Sequence, residues 1–588
     1  MRWMLRCLAS LGMAGALAGA ATAQTLTYCS EGNPEGFDPA LHVTATTFDA
    51  SSRVIYDRLV EFAHGTTNVV PGLAERWEVS VDGLEYTFHL RSDVNFHATD
   101  DFQPTRELNA DDVIFTFKRQ MDEDDPFFDY GGGVWPFFEG LSMARLIASI
   151  EKVDDRTVKF VLTQPEAPFI ANLAMDFASI VSKEYAGGLA AADRRNLDLR
   201  PVGTGPFRFL GHEADGAVRY TANAQYWNGA PAIDDLVFAV TPSDSLRVRK
   251  LRDGACQLIA PPSPADVAAL ADDPSVVLRQ SEGLGVAYLA FNTTQPPFDD
   301  PNVRRALTMA IDKQAIVDAV YGGAARVAET PIPPSVWSYD ATITGPGHDP
   351  DAAAAALAEA GVEDLTMNLW VPTVDRPYNP DPRRMAELIQ ADFAAIGVEA
   401  EIVALDLGDF IRRSAAIDRD AAVLFGWTGD NGDPDNFLGA LLGCDGIGIS
   451  NRAQWCDVDF NDAVLLARTV SDRDERARLY HEAQRIFADQ TPWAVIAHTL
   501  VTVPMRTTVD GYLADPFGRH DFASLRIVEP PPAAPDVTGS ATGPTTAPAE
   551  PAPDNAARAE SAAPEPAAAI EPAATPASDG LLEPIAGQ

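Results

Sequence analysis

From Glu529 to the C-terminus the chain loses nearly every aromatic and β-branched cluster, and Pro, Ala, Ser, Thr and Glu take over. Such a segment cannot bury enough apolar surface to offset the entropy of ordering it. Residues 529–588 are therefore expected to form a disordered acidic tail, and the fold must be made by what precedes it. The other end is also expected to fall outside the fold. Arg2 and Arg6 precede an apolar run from Leu8 to Ala20, and Ala21-Thr22-Ala23 supplies the small residues of a cleavage site. Residues 1–23 thus read as a secretory signal peptide, leaving Gln24 or Thr25 at the mature N-terminus. The alternative is a membrane anchor, but the run is short of the roughly 20 apolar residues a spanning helix needs. Cys7 precedes the run and is badly placed for a lipid-modified cleavage site. The stretch left between these ends is long enough that a single core would split into lobes.

Charge narrows the partners. The formal net charge is −41, which argues against nucleic acid, whose phosphates are met by Lys and Arg. It equally disfavours docking on an anionic membrane surface. No later stretch is apolar enough to span a bilayer, so the mature chain is expected to be soluble and monomeric, without membrane insertion.

Four cysteines follow the signal: Cys29, Cys256, Cys444 and Cys456. An even number after an export signal suggests two disulfides, for which three connectivities exist. Cys444 and Cys456 flank a short Gly-rich loop and are the favoured pair, which leaves Cys29 with Cys256. A loop of that size stabilises by on the order of 3 kcal/mol in the chain-entropy account. A zinc site is the alternative, but no C-x-x-C pair exists.

The folded stretch mixes strand and helix signals without a repeat. Tyr86–Arg91 alternates after an Asp82-Gly83 turn, and Thr157–Leu162 does so after Asp154-Asp155. Asn109 opens a helix with Asp111 and Asp112 in its first turn. Asp300-Pro301 opens another, expected to run on to Gly322-Gly323. The fold class is α/β, in two lobes with a cleft between them.

Several motifs then carry a resemblance. Gly72-Leu73-Ala74-Glu75-Arg76-Trp77-Glu78-Val79 with the strand after it, Asn109-Ala110-Asp111-Asp112-Val113, Gly203-Thr204-Gly205-Pro206-Phe207 and Arg304-Arg305-Ala306-Leu307 resemble landmarks of the family 5 extracellular solute-binding proteins. Tyr28–Gly32, Arg376-Pro377-Tyr378-Asn379-Pro380 and the run Gly426–Asn436 look like the dipeptide-binding members. The resemblance covers about 25–528. It implies a two-lobed periplasmic binding protein of the type II, Venus-flytrap kind, with an extra subdomain in lobe I. Lobe I would be 24–284 with a return segment 500–528, and lobe II 285–499, closing by hinge motion. It further implies a periplasmic location, a short peptide ligand and an inner-membrane ABC permease as partner. The cysteines also fall where two disulfides lie in that group.

A dipeptide is a zwitterion, and unpaired buried charges are costly. A site for one needs an acidic anchor for the ammonium and a guanidinium fork for the carboxylate. By resemblance Asp430 is the first and Arg376 the second, with Trp427, Thr428, Gly429, Pro377 and Tyr378 lining the pocket. Gly133, Val134 and Trp135 align with a lobe I loop that touches peptide backbone. Val134 and Trp135 stand where a small polar residue and Tyr are expected, and Val43 where Thr is. From spacing alone, the Asp430 loop is equally a solvated turn. Asp430, Asn431, Asp433 and Asp435 could suggest calcium, but the EF-hand order and its terminal Glu are missing. No cofactor and no metal are expected.

An enzyme is the rival class. His212-Glu213 and His481-Glu482 each lack the second His of H-E-x-x-H, and no G-x-S-x-G occurs. Gly283-x-Gly285 lacks the third glycine of a dinucleotide fingerprint and reads as close strand packing. A nearer alternative keeps the fold and changes the cargo to an oligopeptide, haem or a metal chelate, or adds a chemoreceptor as partner, since fold alone does not identify ligand.

Overall fold

The stretch Val286-Ala287-Tyr288-Leu289-Ala290-Phe291 is apolar throughout, the pattern of a strand covered on both faces. A computed structural model, which describes residues 24–213 and 216–528, places it at the end of β1 (Val276–Phe291). Alternate side chains enter two different cores. Ala287, Leu289 and Phe291 pack with the helices at 301–321, 350–359 and 382–395. Val286, Tyr288 and Ala290 pack with helices on the other face. The neighbouring strands β2 (Ala422–Thr428) and β3 (Trp493–Arg506) divide their residues in the same way. Tyr288 stacks on Trp493 at 3.7 Å, sealing the second core. A fully buried side chain of this size contributes about 1.5–3 kcal/mol.

β1 and β3 are also what joins the molecule's two halves. They belong to one eleven-stranded sheet, whose order runs 399–405, 366–372, β2, β1, β3, 258–259, 25–29, 235–239, 217–222 and 207–212, with 325–327 paired to β3. Strands 25–29, 235–239, 217–222 and 207–212 build a separate core around Tyr28, Tyr220 and Phe238. A further four-stranded antiparallel sheet, in the order 74–79, 85–90, 157–162, 147–154, packs with helix 110–121 as a subdomain of its own. Between the halves the β1–β3 register shifts from Glu282 to Val286. Gly285 sits at the shift. A Cβ there would lie 2.2 Å from Thr499 Oγ1, and its amide donates to that hydroxyl at 3.1 Å. Gly283 and Gly285 are thus set by close strand packing.

Local signals translate directly. Asn109 and Asp112 form a reciprocal capping box on the helix Ala110–Met121. The strands at 85–90 and 157–162 form as expected, and Gly83 takes a positive φ in its turn. One expectation needs correction. The helical stretch from Pro301 does not run through to Gly322: it stops at Ala310 and restarts at Lys313. Asp312 is the reason, because its carboxylate accepts the Ala315 amide and caps a second helix. Both disulfides form, Cys29–Cys256 with Cα atoms 5.9 Å apart and Cys444–Cys456 at 4.9 Å. No helix among the described residues is long and apolar enough to cross a membrane. The expected signal peptide and acidic tail lie outside the described residues.

Candidate functional site

Strand 366–372 runs parallel to β2, with Leu369 opposite Ala422 and Trp370 opposite Val423. The two chains therefore leave the sheet at the same edge, beyond their carboxyl ends, where open α/β sheets take ligands. Arg376 lies in the turn after the first strand and Asp430 in the loop after the second. This common edge lies beside the register shift in β1: Thr428 pairs with Gly285, and the Gly429 amide donates to the Leu284 carbonyl at 3.0 Å.

Arg376 and Asn379 exchange both backbone hydrogen bonds, at 2.9 and 2.8 Å, closing a tight turn with Pro377 exposed at its tip. Tyr378 is turned inward, 9% exposed, stacked on Phe425 and held by Tyr321, whose hydroxyl donates to the Tyr378 carbonyl at 2.7 Å. Burial raises its phenol pKa, and the adjacent Arg376 guanidinium works against that shift. The ring fits because position 426 is glycine. A Cβ there would lie 2.2 Å from the Tyr378 ring and 2.5 Å from the Val286 carbonyl oxygen.

Asp430 is partly buried. Burial pushes its carboxyl up to about 6, opposed by a hydrogen bond from Asn436 and by the charge of Arg519. Trp427 is half-buried beside it, and Thr428 is exposed. Gly429 packs under Phe437, whose ring would lie 2.5 Å from an added Cβ. Among the described residues neither Asp430 nor Arg376 has an ion-pair partner, and the Arg376 Nε is buried without a hydrogen-bond acceptor. The other acids of the loop are engaged: Arg476 binds both oxygens of Asp433 at 2.8 and 2.9 Å, and Arg468 lies 3.5 Å from Asp435.

The lobe I loop departs from expectation. Gly133 takes a positive φ of 71° and Val134 is 53% exposed, so both remain at the surface. The Trp135 ring is turned inward. The residue is fully buried in the subdomain core with the Arg119 guanidinium 5.0 Å above its ring; its amide donates to the Glu139 carboxylate and its carbonyl accepts from the Glu139 amide. An apolar ring two residues after a glycine turn is drawn inward by the area it buries.

Contacts between the halves were not legible in the sequence. Asn431 donates to Asn172 Oδ1 at 2.7 Å, and Thr67 donates to the Ser335 carbonyl at 2.8 Å. The Ala167 amide reaches the Arg468 carbonyl at 2.7 Å. A cavity of about 610 Å³ opens beside them, walled by Glu166 and Asn172 on one side and by Asn436 and Arg468 on the other. Asn436 was likewise missed as a site residue, although it stands in the Gly426–Asn436 run.

Two half-lobes joined by crossing strands, with opposite charges at the common strand edge, define a two-lobed periplasmic binding protein of type II. Solved structures agree: HbpA2 from Haemophilus parasuis is 44% identical with a TM-score of 0.84, over 86% of this chain and 99% of its own. The dipeptide binding protein from Pseudoalteromonas sp. SM9913 in complex with Met-Leu is 39% identical with a TM-score of 0.68, over 86% of this chain and 100% of its own. Residues 68–448 match the bacterial extracellular solute-binding proteins, family 5 Middle, and the chain belongs to that family. It is 49% identical to the dipeptide-binding protein of Escherichia coli strain K12 over 87% of this chain and 96% of the relative.

Proposed function

We propose that this protein is the periplasmic substrate-binding component of an ABC peptide importer and captures a dipeptide by its charged termini. The observation that carries the reading is the pair Asp430 and Arg376. They are opposite charges beyond the ends of adjacent parallel strands, and neither has an ion-pair partner among the described residues. Asp430 takes the ligand's ammonium and Arg376 its carboxylate, each supplying the counter-charge the other group needs on leaving water. Two fixed anchors act as a ruler for length. The relatives support this cargo, since one is named for dipeptides and another holds Met-Leu.

Lobe I comprises 24–284 with the return segment 500–528, and lobe II comprises 285–499. Gly283, Gly285 and Thr499 lie where the chain passes between them, and closure buries the ligand. The mature protein is a periplasmic monomer that hands its ligand to an inner-membrane permease and performs no catalysis.

Calorimetry with a free and a C-terminally amidated dipeptide tests the reading. The free peptide binds tightly, amidation weakens it, and Arg376→Ala abolishes the difference between the two. Equal affinity for both peptides on the native protein overturns the carboxylate anchor. Binding of haemin or a nickel chelate, with no dipeptide binding, overturns the cargo.

A further inference from the structure

The Asn436 side chain is in contact with both the proposed ammonium anchor and the indole beside it. It is the second residue of helix α1 (Asp435–Leu442). Its Oδ1 accepts two hydrogen bonds, from the Trp427 indole N–H at 3.0 Å and the Asp430 amide at 2.9 Å. Its Nδ2 donates to Asp430 Oδ2 at 3.2 Å. The orientation of the amide is fixed by these partners. Turned over, it would set an NH₂ group against two N–H donors and an oxygen against a carboxylate.

We propose that Asn436 is a positioning residue of the binding site, orienting the Asp430 carboxylate and the Trp427 indole together and holding that carboxylate ionised for an ammonium ligand. The inference rests on the reading of Asp430 given above and adds to it a residue and a pH range. Asp430 is partly buried and has no ion-pair partner among the described residues. One backbone turn separates it from the helix that could steady it. Among the described residues, the Asn436 NH₂ is the side-chain donor to its carboxylate. A hydrogen bond to the charged form favours that form. Removing the donor makes the carboxylate harder to ionise, so binding of a cationic group is lost at a higher pH. The acceptor half has a separate task. By taking the Trp427 N–H, it pins the indole on the same side of the loop as the carboxylate, so a ligand meets both in a set geometry.

Two substitutions separate the tasks. Asn436→Asp keeps the shape and an oxygen for Trp427 but removes the donor and sets a second carboxylate against Asp430. Asn436→Leu removes both donor and acceptor. Dipeptide affinity is measured by calorimetry from pH 5 to 9 on the full chain, with thermal melting as a check on folding. The expected native profile falls as pH drops through about 6, where Asp430 is protonated, and falls again above about 8, where the peptide ammonium loses its proton. Both variants move the acid fall upward by about one pH unit, so that affinity at pH 6.5 drops about threefold and at pH 5 about tenfold. Asn436→Leu alone also loses the change in Trp fluorescence on binding. Unchanged acid limbs in two folded variants overturn the proposal, even if both bind more weakly at every pH. Should Asp430→Asn bind dipeptides as tightly as the native protein, the anchor itself falls and the role of Asn436 with it. Loss of binding in Asp430→Asn, with the acid limb unmoved in the Asn436 variants, overturns only the positioning role. Should a variant not fold, Asn436→Ser, which keeps a short hydroxyl at the site, is expected to give a smaller shift in the same direction, and no shift overturns the proposal.

Discussion

Arg468 Nη2 lies 3.1 Å from Glu166 Oε2, and the two residues belong to different halves of the molecule. Glu166 follows the four-stranded subdomain sheet, and Arg468 ends a helix packed against β1 and β2. The same guanidinium reaches Asp435 at 3.5 Å. A tie between lobes that involves no ligand holds them together in the structure described here.

Glu166→Gln should therefore loosen the ligand-free protein. The substitution keeps the side-chain shape and removes the charge, leaving Arg468 with Asp435 alone. Since Arg468 is about one-third exposed, solvent screens the pair, and the loss is about 1 kcal/mol of closure free energy. Small-angle scattering checks this: the variant's radius of gyration without peptide should exceed that of the native protein, and with saturating peptide the two should coincide. Identical ligand-free scattering would show that the ion pair does not hold the lobes.

The same contact should respond to pH. Burial pushes the Asp435 carboxyl up to about 7, opposed by Arg468 and assisted by Glu166 and Asp433. Opening the lobes returns Asp435 toward water and toward its ordinary range. The closed form thus binds more protons at Asp435, and this contribution is full only below the ordinary carboxylate range, shrinks as pH rises and is gone above about 7. Scattering or interlobe fluorescence transfer without peptide should report more closure at pH 6 than at pH 8. Asp435→Asn should flatten that dependence, and an equally steep response in the variant would rule Asp435 out as its source.

Asp430 sets binding against stability. Its carboxyl is held near 6 by burial, well above its unfolded range. A raised acid costs folding free energy once pH exceeds the unfolded value, and the cost is complete above the folded one. Asp430→Asn should abolish dipeptide binding yet raise the unfolding free energy at pH 8 by on the order of 1–3 kcal/mol, read as a higher melting temperature. Near pH 4 the gain should vanish, because the native carboxyl is then protonated. A variant less stable than native at pH 8 would mean that contacts of the carboxylate outweigh its desolvation.

What the sequence revealed, and what it hid, follows the reach of each interaction. The capping box of Asn109 with Asp112 and the turn at Gly83 are written in adjacent residues, and each formed where those residues lie. Asp312 is a capping residue too, but the apolar face on either side of it looked continuous, so one helix was expected where two stand. The strand edge that carries Arg376 and Asp430 was legible only through resemblance, since their placement depends on the pairing of 366–372 with β2. Asn431 meets Asn172 across 259 positions, a contact that no local pattern announces. Trp135 reads as a site residue through resemblance, and only the packed core around Arg119 and Tyr130 shows that its ring is turned inward.

Gly426 is where the fold and the site constrain each other most tightly. It lies within β2, with the Tyr378 ring and the Val286 carbonyl both crowding the place a Cβ would take. A methyl group there would have to displace the ring, which is stacked on Phe425 and fixed through its carbonyl by Tyr321. The ring cannot move without shifting the turn that carries Arg376. Gly426→Ala should therefore destabilise the protein by about 1–3 kcal/mol, the usual cost of overpacking. It should also weaken dipeptide binding, and the loss should be larger for the free peptide than for its amidated form, because the carboxylate anchor is the part displaced. Pairing it with Tyr378→Leu, which removes the ring the methyl meets, should restore part of the stability but not the affinity. Denaturant titration and calorimetry on the single and double variants check both halves. If Tyr378→Leu fails to relieve Gly426→Ala, the carbonyl of Val286 rather than the ring is the controlling contact.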